Sequence, residues 1–314
     1  MRKDLTFDDI RIVPRYVSEV NSRSEVDTFT MIDKIPMQVP VILPGMHSLY
    51  GPSMVSGVTM GGGLVVHPRG GTNPSTNSGS YYMSFGMPNI RNVNLENALS
   101  AAHELALDTN SVLVIELNNG YLKKLHDKIR EIHKFYPELR IWAGAVCSIE
   151  GCRMLADAGA TAVIVGNGVG SVCETTPRTA VGLPPVATLL ECINSPIPVI
   201  LAGGIKKYGD IVLSLILGAE AVMIGGLLAS TTDNPNQGRY WGEASSRQKH
   251  DNINLADNLR VSYVEGREVQ LTLDKISACD RIKEIKEAIQ SACSFVGARN
   301  INELRTMATL EELK

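Results

Sequence analysis

A single cysteine, Cys173, follows a glycine-rich loop, VGNGVGS at residues 165–171, and precedes an acid and two threonines. Alternating glycines let backbone N–H and C=O groups approach a ligand closely, because no side chain stands between them. Such a loop binds phosphate through N–H groups or a cation through carbonyl oxygens. Backbone dipoles beside a thiol favour the thiolate, which is the nucleophilic form. The stretch therefore predicts a nucleophilic cysteine beside an ion-binding loop.

The other five cysteines are scattered along the chain and carry no comparable signal. We interpret them as small buried hydrophobic residues with free thiols in a reducing cytosol. No second pair at metal-ligand spacing accompanies the first two, so a structural zinc site is not expected. These cysteines are Cys147, Cys152, Cys192, Cys279 and Cys293.

Eight short apolar runs recur along the chain and predict strands. They are continuous rather than alternating, which is typical of parallel strands buried on both faces. Amphipathic stretches at 121–136, 148–160 and 206–219 lie between several of them and predict helices. This alternation favours a single-domain (β/α)₈ TIM barrel over residues 1–314, rather than an open doubly wound sheet. The runs lie at 39–45, 62–68, 81–87, 111–117, 140–146, 160–167, 197–204 and 219–226.

Two further glycine sites, 202–204 and 224–226, end the last two predicted strands. Barrels often bind phosphate after these strands, so these glycines and the opening loop predict one phosphate site. The polar stretch 231–258 follows on the same face. It is either a solvated insertion or a mobile flap over the site, since long loops in compact domains are often functional.

Composition narrows the possible partners. The net charge is −3 and the pI about 6.1, so no basic excess points to nucleic acid or an anionic membrane. The N-terminal residues contain no apolar signal-peptide core, and no apolar run is long enough to span a bilayer. We therefore expect a cytoplasmic protein that acts on small molecules.

Several motifs together resemble one family, the purine-nucleotide oxidoreductases that include inosine-monophosphate dehydrogenase and GMP reductase. They are TFDDIRIVP, SRSEVD, NNGY, GSVCETT, VGLPP, GDIVLSLILGAEAVMIGGLLA and SACSFVGA, and the similarity covers about residues 5–309. The segment NSRSEVD and the lack of a paired regulatory module favour the GMP reductase branch. The resemblance implies the same barrel fold.

The resemblance also implies a mechanism. A thiolate from Cys173 adds to C2 of the purine of GMP, ammonia leaves, and NADPH reduces the covalent intermediate to IMP. Thr175 and Glu265 match the hydroxyl and carboxylate that move the proton. Without the family, Glu265 would be interpreted as a surface turn residue.

The resemblance assigns binding roles residue by residue. The expected nucleotide contacts are Met46, Ser171, Ala202, Gly203, Gly204, Gly225, Gly226, Gly242, Glu243 and Ala244. The expected NADPH contacts are Ser22, Arg23, Glu116, Ser291 and Cys293. The expected ligands of a monovalent cation, usually potassium, are backbone carbonyls of Gly168, Gly170 and Cys173. By the same analogy the protein is expected to be a homotetramer.

The chain departs from the family pattern in the residues that read the substrate. Ala202 replaces an aspartate that holds the ribose hydroxyls, and Glu243 replaces a methionine in the loop that reads the purine edge. His47, which we interpret as structural, replaces an aspartate. Four further differences are Glu116 for Asp, Ala145 for Asn, Val169 for Pro, and Pro68 for a basic residue, with Arg69 adjacent.

Three functions remain open at this point. The first is reductive deamination of a guanine nucleotide, with GMP, dGMP or a modified analogue as substrate. The second is oxidation of IMP type, which needs a flap with an Arg-Tyr pair beyond the purine loop, whereas Arg239-Tyr240 precedes it. The third is nucleotide binding without catalysis, which the set Cys173, Thr175 and Glu265 disfavours.

Overall fold

The structure is a computed structural model that describes residues 5–14, 17–70, 88–253 and 265–313, with the backbone alone for 250–253. Eight parallel strands form its central sheet, in the order β2-β1-β8-β7-β6-β5-β4-β3. The strands are β1 (Val41–Leu43), β2 (Leu64–Val65), β3 (Ile90–Asn92), β4 (Val112–Glu116), β5 (Arg140–Val146), β6 (Ala162–Val165), β7 (Val199–Ala202) and β8 (Ala221–Met223).

The two ends of this sheet meet, so the sheet closes into a barrel. His67, just after β2, forms a parallel bridge with Arg91 of β3. Its N–H donates to the carbonyl of Ile90 at 2.8 Å, and its own carbonyl accepts from Asn92 at 3.0 Å. The fold is therefore the (β/α)₈ TIM barrel that the sequence predicts.

Seven of the eight predicted apolar runs contain a barrel strand. The remaining run, 81–87, lies outside the described part of the chain, and the third strand of the barrel is β3, which follows it. Two of the three residues of β3, Arg91 and Asn92, are polar. Continuous apolar runs do not reveal such a strand, because Asn92 lines the barrel mouth and Arg91 pairs with Glu104 at 2.8 Å.

Helices surround the barrel and confirm the predicted amphipathic stretches. The helix from Lys123 buries Leu125, Ile129 and Ile132, whereas Leu122, directly before it, is exposed. Gly159 ends the helix from Ile149 in the left-handed conformation, at φ 107°. The barrel helices are Pro52–Met60, Ala98–Leu105, Lys123–Phe135, Ile149–Ala158, Thr175–Thr179, Pro185–Cys192, Tyr208–Ile216 and Gly226–Ala229.

The amino-terminal end of the barrel is filled and the carboxyl end is open. A hairpin of Thr30–Ile32 and Ile35–Met37 packs under the barrel, and its apolar side chains join the interior cluster. Trp142 of β5 is fully buried there and donates to the Asp33 carboxylate at 2.9 Å. Ligand access is therefore confined to the opposite end, where barrel active sites form.

Residues after β8 form a second layer over the open end and one side. Two short strands, Arg239–Trp241 and Glu268–Gln270, pair antiparallel, and Tyr240 and Trp241 are buried. The stretch 231–258 thus has more apolar anchors than its composition indicates, while 254–264 lie outside the described residues. The flap remains a prediction.

The remaining elements complete the outer layer. They are the 3₁₀ turns Phe7–Asp9 and Arg23–Glu25, the helices Ser246–Ile253, Ala278–Val296 and Ile301–Met307, and the strands Ile10–Ile12 and Leu310–Glu312, which pair antiparallel. Within the described ranges, no helix has both the length and the apolar character needed to cross a membrane.

Candidate active site

A pocket opens at the carboxyl ends of the strands, and residues in or after all eight of them line it. Its lining includes most of the residues that the sequence assigns to the nucleotide and the cation, together with Glu116. The lining residues include Met46, Arg69, Asn92, Glu116, Gly168, Gly170, Ser171, Cys173, Ala202, Gly203, Gly204, Met223, Gly225, Gly226, Tyr240, Gly242, Glu243, Ala244 and Glu265.

Cys173, Thr175 and Glu265 form a hydrogen-bonded chain in this pocket. The Thr175 hydroxyl accepts from the Cys173 thiol at 3.3 Å and donates to the Glu265 carboxylate at 2.7 Å. A hydroxyl can do both at once because it has one proton and two lone pairs. Thr175 is buried and Glu265 is half-buried, so Glu265 is not a surface turn residue. The three groups provide a path for a proton between sulfur and carboxylate.

Backbone pairing fixes Glu265 beside Cys173 although 92 positions separate them in the sequence. Cys173 forms an antiparallel bridge with Gly266, and Ser245 forms a parallel one with the same glycine. The N–H of Glu174 donates to the Glu265 carbonyl at 2.7 Å, and the Glu265 N–H donates to Ala244 at 3.3 Å. The loop around Cys173, the loop at 242–245 and the segment from 265 are therefore one hydrogen-bonded unit.

Three glycine loops meet at the other end of the pocket and form a cradle for an anion. An added Cβ on Gly203 would lie 3.1 Å from the N of Gly170, and one on Gly226 would lie 3.3 Å from the Ser171 hydroxyl. Gly203 also has φ 89°, a conformation that side chains disfavour. Close backbone loops of this kind bind phosphate through their N–H groups.

Gly225 provides a sharp test of this cradle. An added Cβ there would overlap the hydroxyl of Tyr240, which is buried and cannot move aside. We expect Gly225→Ala to raise the Kd of a nucleoside monophosphate by at least about tenfold, because the cradle must shift to relieve the clash. The measurement is calorimetric titration, with circular dichroism to verify folding.

Gly209 is the matched control for this substitution, because a Cβ there meets no atom within 4 Å. It lies in the first turn of a helix, where alanine is tolerated better than glycine. Gly209→Ala is expected to bind nucleotide as tightly as the native protein. Equal affinity in both variants would show that the glycine cradle does not contact the ligand.

The loop assigned to a monovalent cation lies directly between the cradle and the nucleophile. The N–H of Cys173 donates to the carbonyl of Gly170 at 3.0 Å, which makes the loop a tight turn. Among the described residues, no group of three or more His, Cys, Asp or Glu could hold a metal ion. Any cation bound here would depend on carbonyl oxygens, which suit hard cations.

Polar groups from β3, β4 and the β2 loop line the part of the pocket farthest from the cradle. Burial raises the pKa of the Glu116 carboxyl above its usual range, and the charge of Arg69 opposes this. The Oδ1 of Asn92 has no hydrogen-bond partner among the described residues, although the side chain is only 2 % exposed. Sequence reasoning missed Asn92, because it lies in the strand that was not predicted.

His47 and Glu243 are hydrogen-bonded at the rim, between the β1 loop and the loop at 242–245. The Glu243 carboxylate accepts from the His47 N–H at 2.9 Å and lies 3.0 Å from its Nδ1. The hydrogen bond from Glu243 raises the pKa of His47, while burial opposes it. The structural role predicted for His47 therefore consists of holding the pocket residue Glu243 by hydrogen bonds.

Ala202 ends β7, and its methyl group brings no polar atom to the pocket wall. Met223, its partner on the neighbouring strand β8, lines the same pocket, and Gly203 follows directly. Tyr240 also lines the pocket, and burial raises the pKa of its phenol to about 12. At Ala202 and Met223 the side chains of the wall are therefore hydrocarbon.

The remaining assigned residues lie away from the pocket. Ser22 caps the turn Arg23–Glu25, and Arg23 pairs with Glu287 at 3.2 Å. Ser291 is half-buried on the helix that carries Glu287, whereas Cys293 is fully buried. Burial raises the pKa of the Cys293 thiol to about 12. The side chain of Cys293 therefore packs into the core, and its assignment as a cofactor contact stays a prediction.

Comparison with known proteins agrees with this geometry. The sequence profile of the IMP dehydrogenase / GMP reductase domain matches residues 92–314. GMP reductase of Streptococcus pyogenes is 28% identical over 95% of this chain and 92% of its own length. Inosine-5'-monophosphate dehydrogenases of Aquifex aeolicus and Escherichia coli are each 34% identical over 63% of this chain. The chain matches only 44% of the length of these two dehydrogenases. The protein belongs to the IMP dehydrogenase/GMP reductase family of oxidoreductases.

Proposed function

We propose that this protein is a GMP reductase-like enzyme that converts a guanine nucleotide to the inosine nucleotide and ammonia. The observation that carries the proposal is the chain from Cys173 through Thr175 to Glu265, which lies in one pocket with a phosphate cradle. The similarity to a GMP reductase over 95% of the chain supports it.

The pocket residues divide the reaction into two steps. The Cys173 sulfur adds to C2 of the purine, and the 2-amino group leaves as ammonia with a proton that Glu265 delivers through Thr175. The purine is then held as a thioimidate on Cys173, while the cradle retains its phosphate. Covalent catalysis of this kind replaces one difficult displacement by two easier ones.

The polar end of the pocket fits a nicotinamide cofactor. Asn92 Oδ1 is a buried acceptor without a partner in the described chain, and the Glu116 carboxyl lies in the same lining, so a carboxamide could pair with both. NADPH bound there would supply the hydride that replaces sulfur at C2, and each turnover would take up two protons in total, with the ammonia released as ammonium. Ser22, Arg23 and Ser291 lie away from this pocket, so they would contact a part of the cofactor that extends beyond it. Carbonyls of Gly168, Gly170 and Cys173 would hold potassium.

Two assays test the proposal against its alternatives. Oxidation of NADPH with GMP as substrate identifies the reductase, whereas reduction of NAD with IMP identifies a dehydrogenase, the reaction named for the 34% identical relatives. Protection of Cys173 from a thiol reagent by nucleotide, without turnover of either kind, identifies a binding protein. We also propose that the protein is cytoplasmic and forms a homotetramer. Gel filtration with light scattering tests the tetramer.

The hydrocarbon wall at Ala202 leads to a prediction about the sugar. A hydroxyl that loses water without gaining a partner costs about 1–3 kcal/mol. A 2′-deoxynucleotide carries one fewer such hydroxyl, so we expect kcat/KM for dGMP to equal or exceed that for GMP. Ala202→Asp supplies an acceptor and should shift the ratio towards GMP. A native preference for GMP above about a hundredfold, roughly 2.7 kcal/mol, would contradict this.

A further inference from the structure

The paired side chains of His47 and Glu243 place a fixed acceptor at the pocket rim. Glu243 lines the pocket, and its carboxylate accepts from both the backbone N–H and the ring of His47. Both side chains are less than one-third exposed. A carboxylate has no proton to donate, so a bound ligand must present an N–H or O–H to it.

Glu243 reaches towards the side of the barrel opposite Cys173. Cys173 follows β6, and the cradle glycines follow β7 and β8. Glu243 instead contacts His47, which follows β1, and the His47 ring in turn meets the backbone of Arg69 after β2. Around the barrel mouth the order is therefore nucleophile, phosphate cradle, and then the Glu243 carboxylate.

A purine nucleotide matches this order when its C2 edge faces Cys173 and its C6 edge faces Glu243. Around the base, the reacting C2 is followed by N9 with its sugar phosphate, and then by N7 and the substituent on C6. With C2 at Cys173 and the phosphate in the cradle, the C6 substituent faces Glu243. An oxo group there would meet an acceptor, whereas an amino group would donate a charge-assisted hydrogen bond.

We propose that Glu243, positioned by His47, selects purine nucleotides with an amino group at C6, so that the preferred substrate is a 2,6-diaminopurine nucleoside monophosphate. This inference rests on the proposed function, because the same Cys173 chemistry at C2 is retained. One nucleotide, one NADPH and two protons give the adenine nucleotide, NADP⁺ and ammonium. The bond from C2 to its exocyclic amino nitrogen breaks, the bond from C2 to the Cys173 sulfur forms and then breaks, and C2 gains a hydrogen atom.

The central experiment compares two substrates that differ only at C6. We expect kcat/KM with NADPH to be at least about tenfold higher for the 2,6-diaminopurine monophosphate than for the guanine monophosphate of the same sugar. Glu243→Gln should reduce this ratio by about tenfold or more, because an amide can also donate to an oxo group. Glu268→Gln is the control, since this half-exposed carboxylate pairs with Arg247 at 3.6 Å outside the pocket.

His47 is a positioning residue, so its variants should change selectivity rather than the reaction. His47→Ala should lower the substrate ratio through KM of the diaminopurine nucleotide and leave kcat for the guanine nucleotide within about threefold. His47→Asn retains a side-chain donor for Glu243 and should restore most of the ratio. Equal ratios in both variants and the native enzyme would contradict the positioning role.

Binding separates failure of this inference from failure of the proposed function. Dissociation constants of both nucleotides are measured by calorimetry with Cys173→Ala, which cannot react. A binding preference for the diaminopurine nucleotide that Glu243→Gln removes supports the inference even if neither nucleotide is turned over. Turnover of both nucleotides with a preference for guanine that Glu243→Gln leaves unchanged overturns the inference and retains the proposed function.

Discussion

Cys173→Ala is expected to lower kcat by at least about a thousandfold. The thiol is the only group in the proposed reaction that forms a bond to the purine, and loss of a covalent nucleophile removes the whole pathway. Nucleotide affinity should change by less than about threefold, because the cradle of Gly203, Gly204, Gly225 and Gly226 is untouched. Assays of NADPH oxidation give kcat, and calorimetry gives the nucleotide affinity.

Cys279→Ala is the matched control, because Cys279 is a half-buried free cysteine on the helix Ala278–Val296, far from the pocket lining. This variant should retain full activity, and nucleotide should still protect its Cys173 fully from a thiol reagent. Retention of even a tenth of the native rate in Cys173→Ala would exclude the covalent mechanism.

Glu265→Gln is expected to lower kcat by about 10²–10⁴, the usual contribution of a general acid or base. The amide can still accept from Thr175, so the pocket keeps its shape, but it cannot exchange a proton with the hydroxyl that now lies 2.7 Å away. KM for the nucleotide should therefore change by less than about tenfold.

Release of ammonia is the step that this variant should slow. Rapid-quench measurement of ammonia separates it from hydride transfer, which NADPH absorbance follows. Glu268→Gln, a carboxylate on the neighbouring strand Glu268–Gln270, should behave as the native enzyme. An unchanged kcat in Glu265→Gln would show that Thr175 and Cys173 do not need the Glu265 carboxylate as a proton acceptor. That result would reject the assigned role.

The position of Cys173 relative to the glycine loops could be predicted because it depends on local sequence. Strand β6 and its loop lie within a dozen residues, and parallel strands bring their carboxyl ends to one edge. The same rule placed the glycines after β7 and β8 in the pocket. Continuous apolar runs were sufficient evidence for seven strands, because these strands are buried on both faces.

Some features depend on strands that carry polar residues. The run at 81–87 was chosen for its apolar side chains, whereas β3 carries Arg91 and Asn92. Asn92 faces the pocket, so the same polarity that hides the strand from a search for apolar runs serves the site. A family match also does not say whether a thiol points outward or into the core, and Cys293 is fully buried.

The sequence by itself determined the barrel and the positions of Cys173 and the glycine loops at its mouth, since these loops lie close in the chain to the strands that carry them. Only the tertiary structure decided that Glu265 reaches Thr175 and that Glu243 reaches His47, across 90 and 196 positions. Such contacts depend on barrel closure and on the bridges that join segments 172–174, 244–245 and 265–267. No local pattern encodes them, because the pairing partners are set by the order of strands around the closed sheet.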